Sequence, residues 1–131
     1  MHLLDTNACI RILNADAGPL VERLRAEHPS HIRISSVTKA ELLYGARHGT
    51  RIESNLKRLE RFFALIVSLP FDDPCAEHFG IIRADLAARG EPIGPYDMQI
   101  AATARAHDLT LVTHNVREFS RVPGLRLEDW E

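Results

Sequence analysis

The first seven residues of the chain constrain its fold more than any other stretch. An apolar pair, Leu3-Leu4, runs directly into the polar run Asp5-Thr6-Asn7. This pattern predicts a short buried strand followed by a helix that begins at about Ala8. In an open α/β sheet, ligands bind outside the carboxyl ends of the strands, so an acidic side chain there faces a binding site. Asp5 is therefore the first candidate functional residue, although it or Asn7 would also serve as the cap of the following helix.

Strands and helices alternate along the rest of the chain. Apolar residues spaced by three and four predict helices, and short β-branched or alternating runs predict strands. Gly45 interrupts one helix, which indicates a close approach by another group. The alternation predicts a single α/β domain over residues 1–131, with a mostly parallel central sheet flanked by helices. The predicted helices are 8–15, 19–28, 36–48, 51–66, 73–89 and one that starts at about 95, and the later predicted strands are 31–35, 67–71, 109–113 and 125–127.

Composition limits the class of function. The 131 residues are 45% hydrophobic and 26% charged, which is typical of a globular domain with its own core. A net charge of −2 gives no general attraction to nucleic acid, so such a partner would be bound through a local patch or through metal ions. The longest apolar run, Phe62 to Phe71, is too short to span a membrane, and the first strand leaves no room for a signal peptide. A cytoplasmic protein is expected, with Cys9 and Cys75 as buried, reduced thiols.

Further polar side chains follow the predicted strands. Glu41 comes after the second strand, Asp97 begins the helix before the fourth, and Asn115 ends the fourth. Each also has a structural explanation: Glu41 matches a capping box with Thr38, and a carboxylate at Asp97 is favoured by the helix dipole. Because the carboxyl ends of parallel strands share one edge, the convergence of these residues favours a single site.

The chemistry of this set indicates a divalent cation. Carboxylate oxygens with no Cys or His at ligand spacing suit Mg²⁺ or Mn²⁺, which keep several waters and take further ligands from a phosphate. The matching reaction is phosphodiester hydrolysis, which needs no nucleophilic side chain. Two alternatives remain open. One is a phosphatase of receiver-like or haloacid-dehalogenase-like topology, which would require a Lys or a DxD arrangement near the sheet edge, where the chain has Thr6-Asn7 instead. The other is a non-enzymatic binding module that docks a partner and in which the acids only cap helices.

Four segments carry a pattern that runs along the whole chain: 3–7, 35–38 with 40–45, 94–97 with 100–102, and 112–119, followed by the ending 127–130. In this order they resemble the successive motifs of PIN-domain ribonucleases, in particular the VapC toxins of bacterial VapBC toxin–antitoxin pairs, and the predicted domain is therefore PIN-like. This resemblance implies a PIN fold, RNA cleavage that depends on Mg²⁺ or, as a substitute, Mn²⁺, and inhibition of translation. It also implies a homodimer and inhibition by a small VapB antitoxin.

Carried over residue by residue, the resemblance assigns Asp5, Glu41 and Asp97 as catalytic residues and metal ligands. The fourth position of the site falls on Asn115, which departs from an all-acid site. An amide oxygen binds a metal or its water but adds no negative charge, so a second ion would be held more weakly.

Three neighbouring residues complete the prediction. Thr6 and Thr113 match hydroxyl positions that flank the site, where they would orient the metal ligands. His114, beside Asn115, is the candidate for contact with RNA. The ending of the chain resembles that of toxins that cut initiator tRNA in the anticodon stem-loop, which implies tRNA as the substrate.

Overall fold

A five-stranded, fully parallel sheet forms the middle of the molecule. The structure is a computed structural model that describes all residues from Met1 to Glu131. The strand order is β3-β2-β1-β4-β5, so the first strand lies at the centre and the second lies nearer an edge. The strands are β1 (His2–Leu4), β2 (Ile32–Ser35), β3 (Val67–Leu69), β4 (Thr110–Val112) and β5 (Leu127–Glu128).

Seven helices connect and flank these strands, which confirms the predicted α/β architecture. The first helix begins directly after Asp5, two residues earlier than predicted. A four-residue helix after β4 was not predicted, because one turn is too short to show helical periodicity. The helices are α1 (Thr6–Asn14), α2 (Pro19–Ala26), α3 (Ser36–His48), α4 (Ile52–Leu65), α5 (Asp73–Ala88), α6 (Pro95–Ala106) and α7 (Val116–Phe119), with a 3-10 turn at Pro29–His31.

The two leucines of β1 belong to two separate cores. Successive side chains of a strand point to opposite faces of the sheet. Leu3 packs among residues of α5 and α6, such as Ile82 and Ile100, whereas Leu4 packs among residues of α1, α3 and α4, such as Leu42. Both leucines are fully buried. The central strand is therefore fixed from both sides, and the position of Asp5 is fixed with it.

The beginning of α3 differs from the sequence prediction. Ser35 is its N-cap, since the Ser35 hydroxyl accepts a hydrogen bond of 3.0 Å from the Thr38 amide. The predicted capping box of Thr38 with Glu41 is wrong, because β2 runs directly into α3 and moves the cap to the last residue of the strand. Glu41 is thus not needed to cap its own helix.

Two further expectations concern the whole chain. No helix in the structure has the length and apolar character needed to cross a membrane. Cys9 and Cys75 are buried free thiols, as predicted. Burial raises the pKa of the Cys9 thiol, so this side chain stays protonated inside the core.

Candidate active site

Asp5 directly follows the central strand and is nearly inaccessible to solvent. Its amide donates to the carbonyl oxygen of Val112 at 3.1 Å, which continues the pairing of β1 with β4. Its Oδ1 accepts a hydrogen bond of 2.8 Å from the amide of Ala8, so Asp5 does cap α1. Burial raises the pKa of Asp5, although hydrogen bonds from Thr113 and Ala8 oppose this effect. The cap and the site are therefore compatible roles of one carboxylate.

Glu41 is held toward the same edge by a residue of another helix. The Thr6 hydroxyl at the start of α1 donates to Glu41 Oε1 at 2.7 Å. The same Thr6 oxygen lies 3.1 Å from the hydroxyl oxygen of Thr38, which is fully buried. The negative charge of Glu41 contributes to the raised pKa of Asp5, which shows that the two carboxylates are near each other. Thr6 thus contacts a predicted site residue, and its role in orienting a metal ligand stays a prediction.

Asp97 completes the predicted group of acids. It lies in the first turn of α6, where a Cβ placed on Gly94 would come within 3.6 Å of its Oδ2. Burial is the largest cause of a pKa raised to about 6. The negative charges of Asp5, Glu41 and Glu118 raise it further. The structure therefore brings the three predicted acids together, close enough for their charges to interact.

Glu118 is a fourth acid of this group, and it was not among the residues predicted from the sequence. It lies on α7, and its charge acts on Asp97. Its Oε2 accepts a hydrogen bond of 3.0 Å from the Asn115 amide nitrogen. Asn115 therefore has its donor group directed to a carboxylate, and its role as a metal ligand stays a prediction. The signal for Glu118 was its spacing, because residues three apart on a helical turn share one face.

Thr113 and His114 lie between the end of β4 and this fourth acid. The Thr113 hydroxyl is buried and accepts a 2.9 Å hydrogen bond from the backbone amide of Asn115. Thr113 also lowers the pKa of Asp5 through a hydrogen bond of its side chain. The His114 ring is exposed, and its Nδ1 lies 3.1 Å from an oxygen of Asp129. Thr113 thus supports the site from inside, whereas His114 points toward the tail, and its contact with RNA stays a prediction.

The donor set fits a hard divalent cation. None of Asp5, Glu41, Asp97 and Glu118 forms an ion pair with a lysine, arginine or histidine, so their charge is uncompensated. All the atoms that these side chains offer to a metal are oxygens, which are the ligands that Mg²⁺ and Mn²⁺ prefer. The tighter groupings of ligand atoms, within 4.8 Å of one another, lie elsewhere and contain His or Cys. A more open set of carboxylates leaves room for waters and a phosphate in the metal's shell.

A parallel sheet with uncompensated carboxylates at the carboxyl edge of its central strands defines a class of metal-binding α/β domains. The chain belongs to the PIN domain family, whose pattern matches residues 2–125. It is 44% identical over 128 residues to the tRNA(fMet)-specific endonuclease VapC of Salmonella typhimurium, and the match covers 98% of this chain and 96% of that protein.

Solved structures of toxin–antitoxin complexes are similar to the whole chain. The DNA-bound VapBC of Salmonella typhimurium superposes with a TM-score of 0.94 at 43% identity, covering 99% of this chain and 98% of that chain. VapBC2 of Rickettsia felis, bound to a DNA fragment from its promoter, gives a TM-score of 0.93 at 34% identity, with the same coverage of 99% and 98%. The PIN fold that the resemblance implied is thus confirmed.

Replacing Asp97 by Asn is expected to stabilise the metal-free protein at pH 7 by about 1–2 kcal/mol, after allowance for solvent screening. An acid whose pKa is raised from 3.8 to about 6 in the folded state binds its proton more tightly there than when unfolded. Its contribution to stability is therefore present at low pH and is lost as pH rises through 6. Urea unfolding between pH 4 and 8 with a chelator present measures the difference. In Asp16→Asn, an exposed control, the free energy of unfolding should depend on pH as it does in wild type. The same pH dependence in Asp97→Asn as in wild type would contradict the prediction.

Replacing Glu118 by Gln is expected to weaken Mg²⁺ binding about 10-fold or more, because it removes one charge from the donor set. Asn115→Ala removes only a hydrogen-bond donor to Glu118 and should have a smaller effect. Calorimetric titration with Mg²⁺ compares the two, with Glu53→Gln on the exposed face of α4 as the control. A loss for Asn115→Ala as large as that for Glu118→Gln would assign the fourth position to Asn115 instead.

Proposed function

We propose that the chain is a divalent-metal-dependent endoribonuclease that acts as the toxin of a type II toxin–antitoxin pair. It hydrolyses phosphodiester bonds of RNA and so inhibits translation. The observation that carries this proposal is the group of four uncompensated carboxylates at one edge of a PIN fold. The name of the Salmonella relative supports initiator tRNA as the substrate. Mg²⁺ is the proposed ion, with Mn²⁺ as a substitute, and the cytoplasm is the proposed location.

The residues of the site have separate tasks in this reaction. Asp5, Glu41, Asp97 and Glu118 would hold the ion through their carboxylate oxygens. When bound, a divalent ion supplies the Lewis acidity that activates water and stabilises the charge on the phosphate. The Thr6 hydroxyl keeps Glu41 Oε1 in one orientation through its 2.7 Å hydrogen bond.

The supporting hydrogen bonds around Asp5 act in the same way. The Ala8 amide keeps its Oδ1 in place, and Thr113, which directly follows β4, adds a second hydrogen bond. Both hydrogen bonds favour the charged form of the carboxylate, which is the form that binds a cation. These hydrogen bonds therefore orient the acids and do not neutralise their charge.

The binding-module alternative is not favoured. In that reading the acids would be helix caps, yet only Asp5 caps a helix, while Ser35 caps α3 and α6 has no side-chain cap. Carboxylates brought together without a cation destabilise a fold, because each raises the pKa of the next. Groups of carboxylates with raised pKa values are typical of functional sites.

A small antitoxin is the proposed protein partner, and the chain itself is proposed to form a homodimer. A cavity of about 280 Å³ opens between α1, α3 and α4, and Glu41 belongs to its lining. A partner segment bound there would reach the acidic site, where a basic side chain would be attracted by the uncompensated charge.

Gly45 also lines this cavity. The close approach inferred from sequence is absent, since a Cβ on Gly45 would meet nothing within 4 Å. The open space is available to a partner instead.

Asp5→Asn, Glu41→Gln and Asp97→Asn are each expected to lower RNA cleavage about 100-fold or more, because each removes a charged metal ligand. Initial rates on tRNA in Mg²⁺ measure the effect, and circular dichroism checks that the variants fold. Glu53→Gln, an exposed acid outside the site, should cleave at the wild-type rate. Wild-type activity in any of the three site variants would remove that residue from the proposed site, and wild-type protein that never cuts RNA in Mg²⁺ or Mn²⁺ would support the binding module.

Gly45→Leu is expected to weaken binding of the antitoxin-type protein encoded beside this chain about 10-fold or more, because the added side chain fills part of the cavity. Gly80→Leu is a matched control: it too lies in a helix, with nothing within 4 Å of its added Cβ, but on α5. Calorimetry on the purified proteins compares the two affinities. Equal affinity of the two variants would show that the antitoxin does not enter the cavity.

A further inference from the structure

A second cavity adjoins the acidic site on the other side of Glu41. It has a volume of about 550 Å³ and lies between α3 and α6. This volume is within the range of roughly 300–1,000 Å³ that small-molecule pockets occupy. Its lining consists of Ser36, Val37, Ala40, Glu41, Tyr44, Tyr96 and Gln99. The cavity thus shares a wall with the proposed catalytic centre but is otherwise made of residues with no role so far.

Two exposed tyrosines face this cavity, one from each helix. Tyr44 is 68% exposed and Tyr96 is 57% exposed, although large aromatic side chains are usually well buried. Tyr44 lies three residues after Glu41 and therefore on the same face of α3. Its ring stacks on His48, with the ring centroids 5.4 Å apart and an angle of 28° between the planes. Tyr96 immediately precedes Asp97 in the first turn of α6. Both tyrosines thus line the same cavity as Glu41.

The polar groups of the cavity suit a nucleobase better than a phosphate. No lysine or arginine lines it, so it offers no counter-charge to the RNA backbone. The Gln99 side-chain amide forms no hydrogen bond within the chain, whereas its backbone carbonyl accepts from Thr103. A free amide offers both a donor and an acceptor to the edge of a base. Aromatic faces together with one free amide are the features by which proteins bind unpaired bases.

We propose that this cavity binds one unpaired nucleobase of the RNA substrate, stacked on Tyr44 and Tyr96 and hydrogen-bonded by Gln99. The inference rests on the proposed function and specifies its substrate class. A base can enter the cavity only if it leaves its stack, so the chain selects single-stranded or loop RNA over duplex. The stacked base would place the neighbouring phosphodiester beside Glu41, which lines the cavity, and near Asp97, whose pKa the charge of Glu41 raises.

The test compares kcat and KM of the full-length chain in Mg²⁺ on a short single-stranded RNA and on the same sequence as a blunt duplex. Tyr44→Ala and Tyr96→Ala are each expected to raise KM for the single strand roughly 10- to 100-fold, as loss of one base–aromatic stack does. Tyr44→Phe and Tyr96→Phe keep the ring and should restore the wild-type KM. Ile81→Ala on α5 is the control, since it also removes an exposed apolar side chain. The wild type should cut the duplex poorly.

An abasic residue moved along the oligonucleotide tests the stack directly. Wild type should lose affinity at one position of the abasic residue, and the two alanine variants should be insensitive at that position, because the partner of the base is already missing. Wild-type KM in both alanine variants, or equal cleavage of duplex and single strand, would overturn the inference while leaving the ribonuclease intact. Light scattering is a further check. If wild type is a dimer and the alanine variants are monomers, the tyrosines contact a second copy of the chain and the inference is overturned. Wild-type protein without cleavage would instead defeat the proposed function.

Discussion

Repulsion among carboxylates is the constraint on which the rest of the structure depends. Four acids lie at one edge of the sheet without an ion pair to a cationic side chain, and burial strengthens their mutual interaction because a protein interior screens charge less than water does. The free energy that holds them there must come from elsewhere in the fold. It comes from two cores, one on each face of the sheet, that bury the hydrophobic residues on either side of β1. A cation at the edge would remove the repulsion, which links the stability of the fold to the chemistry of the site.

The central strand transmits this support to the site. Leu3 and Leu4 point to opposite faces, so a shift of one residue would place each in the wrong core. The strand is also paired on both sides, with β2 and with β4. Asp5 follows without an intervening loop and is fixed at once by the start of α1. A buried carboxylate is tolerated in this place because it accepts hydrogen bonds from Ala8 and Thr113 that offset part of its desolvation.

The parts of this structure that were predictable from sequence depend on local patterns. The apolar pair before Asp5 and the alternation of strands with amphipathic helices are visible in short windows, and they led to the parallel sheet and to three acids at its edge. The capping box of Thr38 failed because its assignment depended on where β2 ends, and a shift of three residues moved the cap to Ser35. Glu118 was missed for a different reason. Its spacing from Asn115 places both on one helical face, but its charge acts on Asp97 of a different helix, and no local pattern records that interaction.

Glu41 connects the two cavities beside the site. It lines the cavity between α1, α3 and α4 and also the cavity between α3 and α6. A group bound in either cavity therefore changes the electrostatic surroundings of the same carboxylate. A basic side chain in the first cavity would compete with a cation for Glu41, since both are attracted by its charge. Inhibition would then follow from loss of the cation's ligand even when the second cavity, and with it the base of the substrate, remained accessible. The Thr6 hydrogen bond limits this competition, because it already occupies Oε1 of Glu41. The basic side chain and the cation would then compete for Oε2.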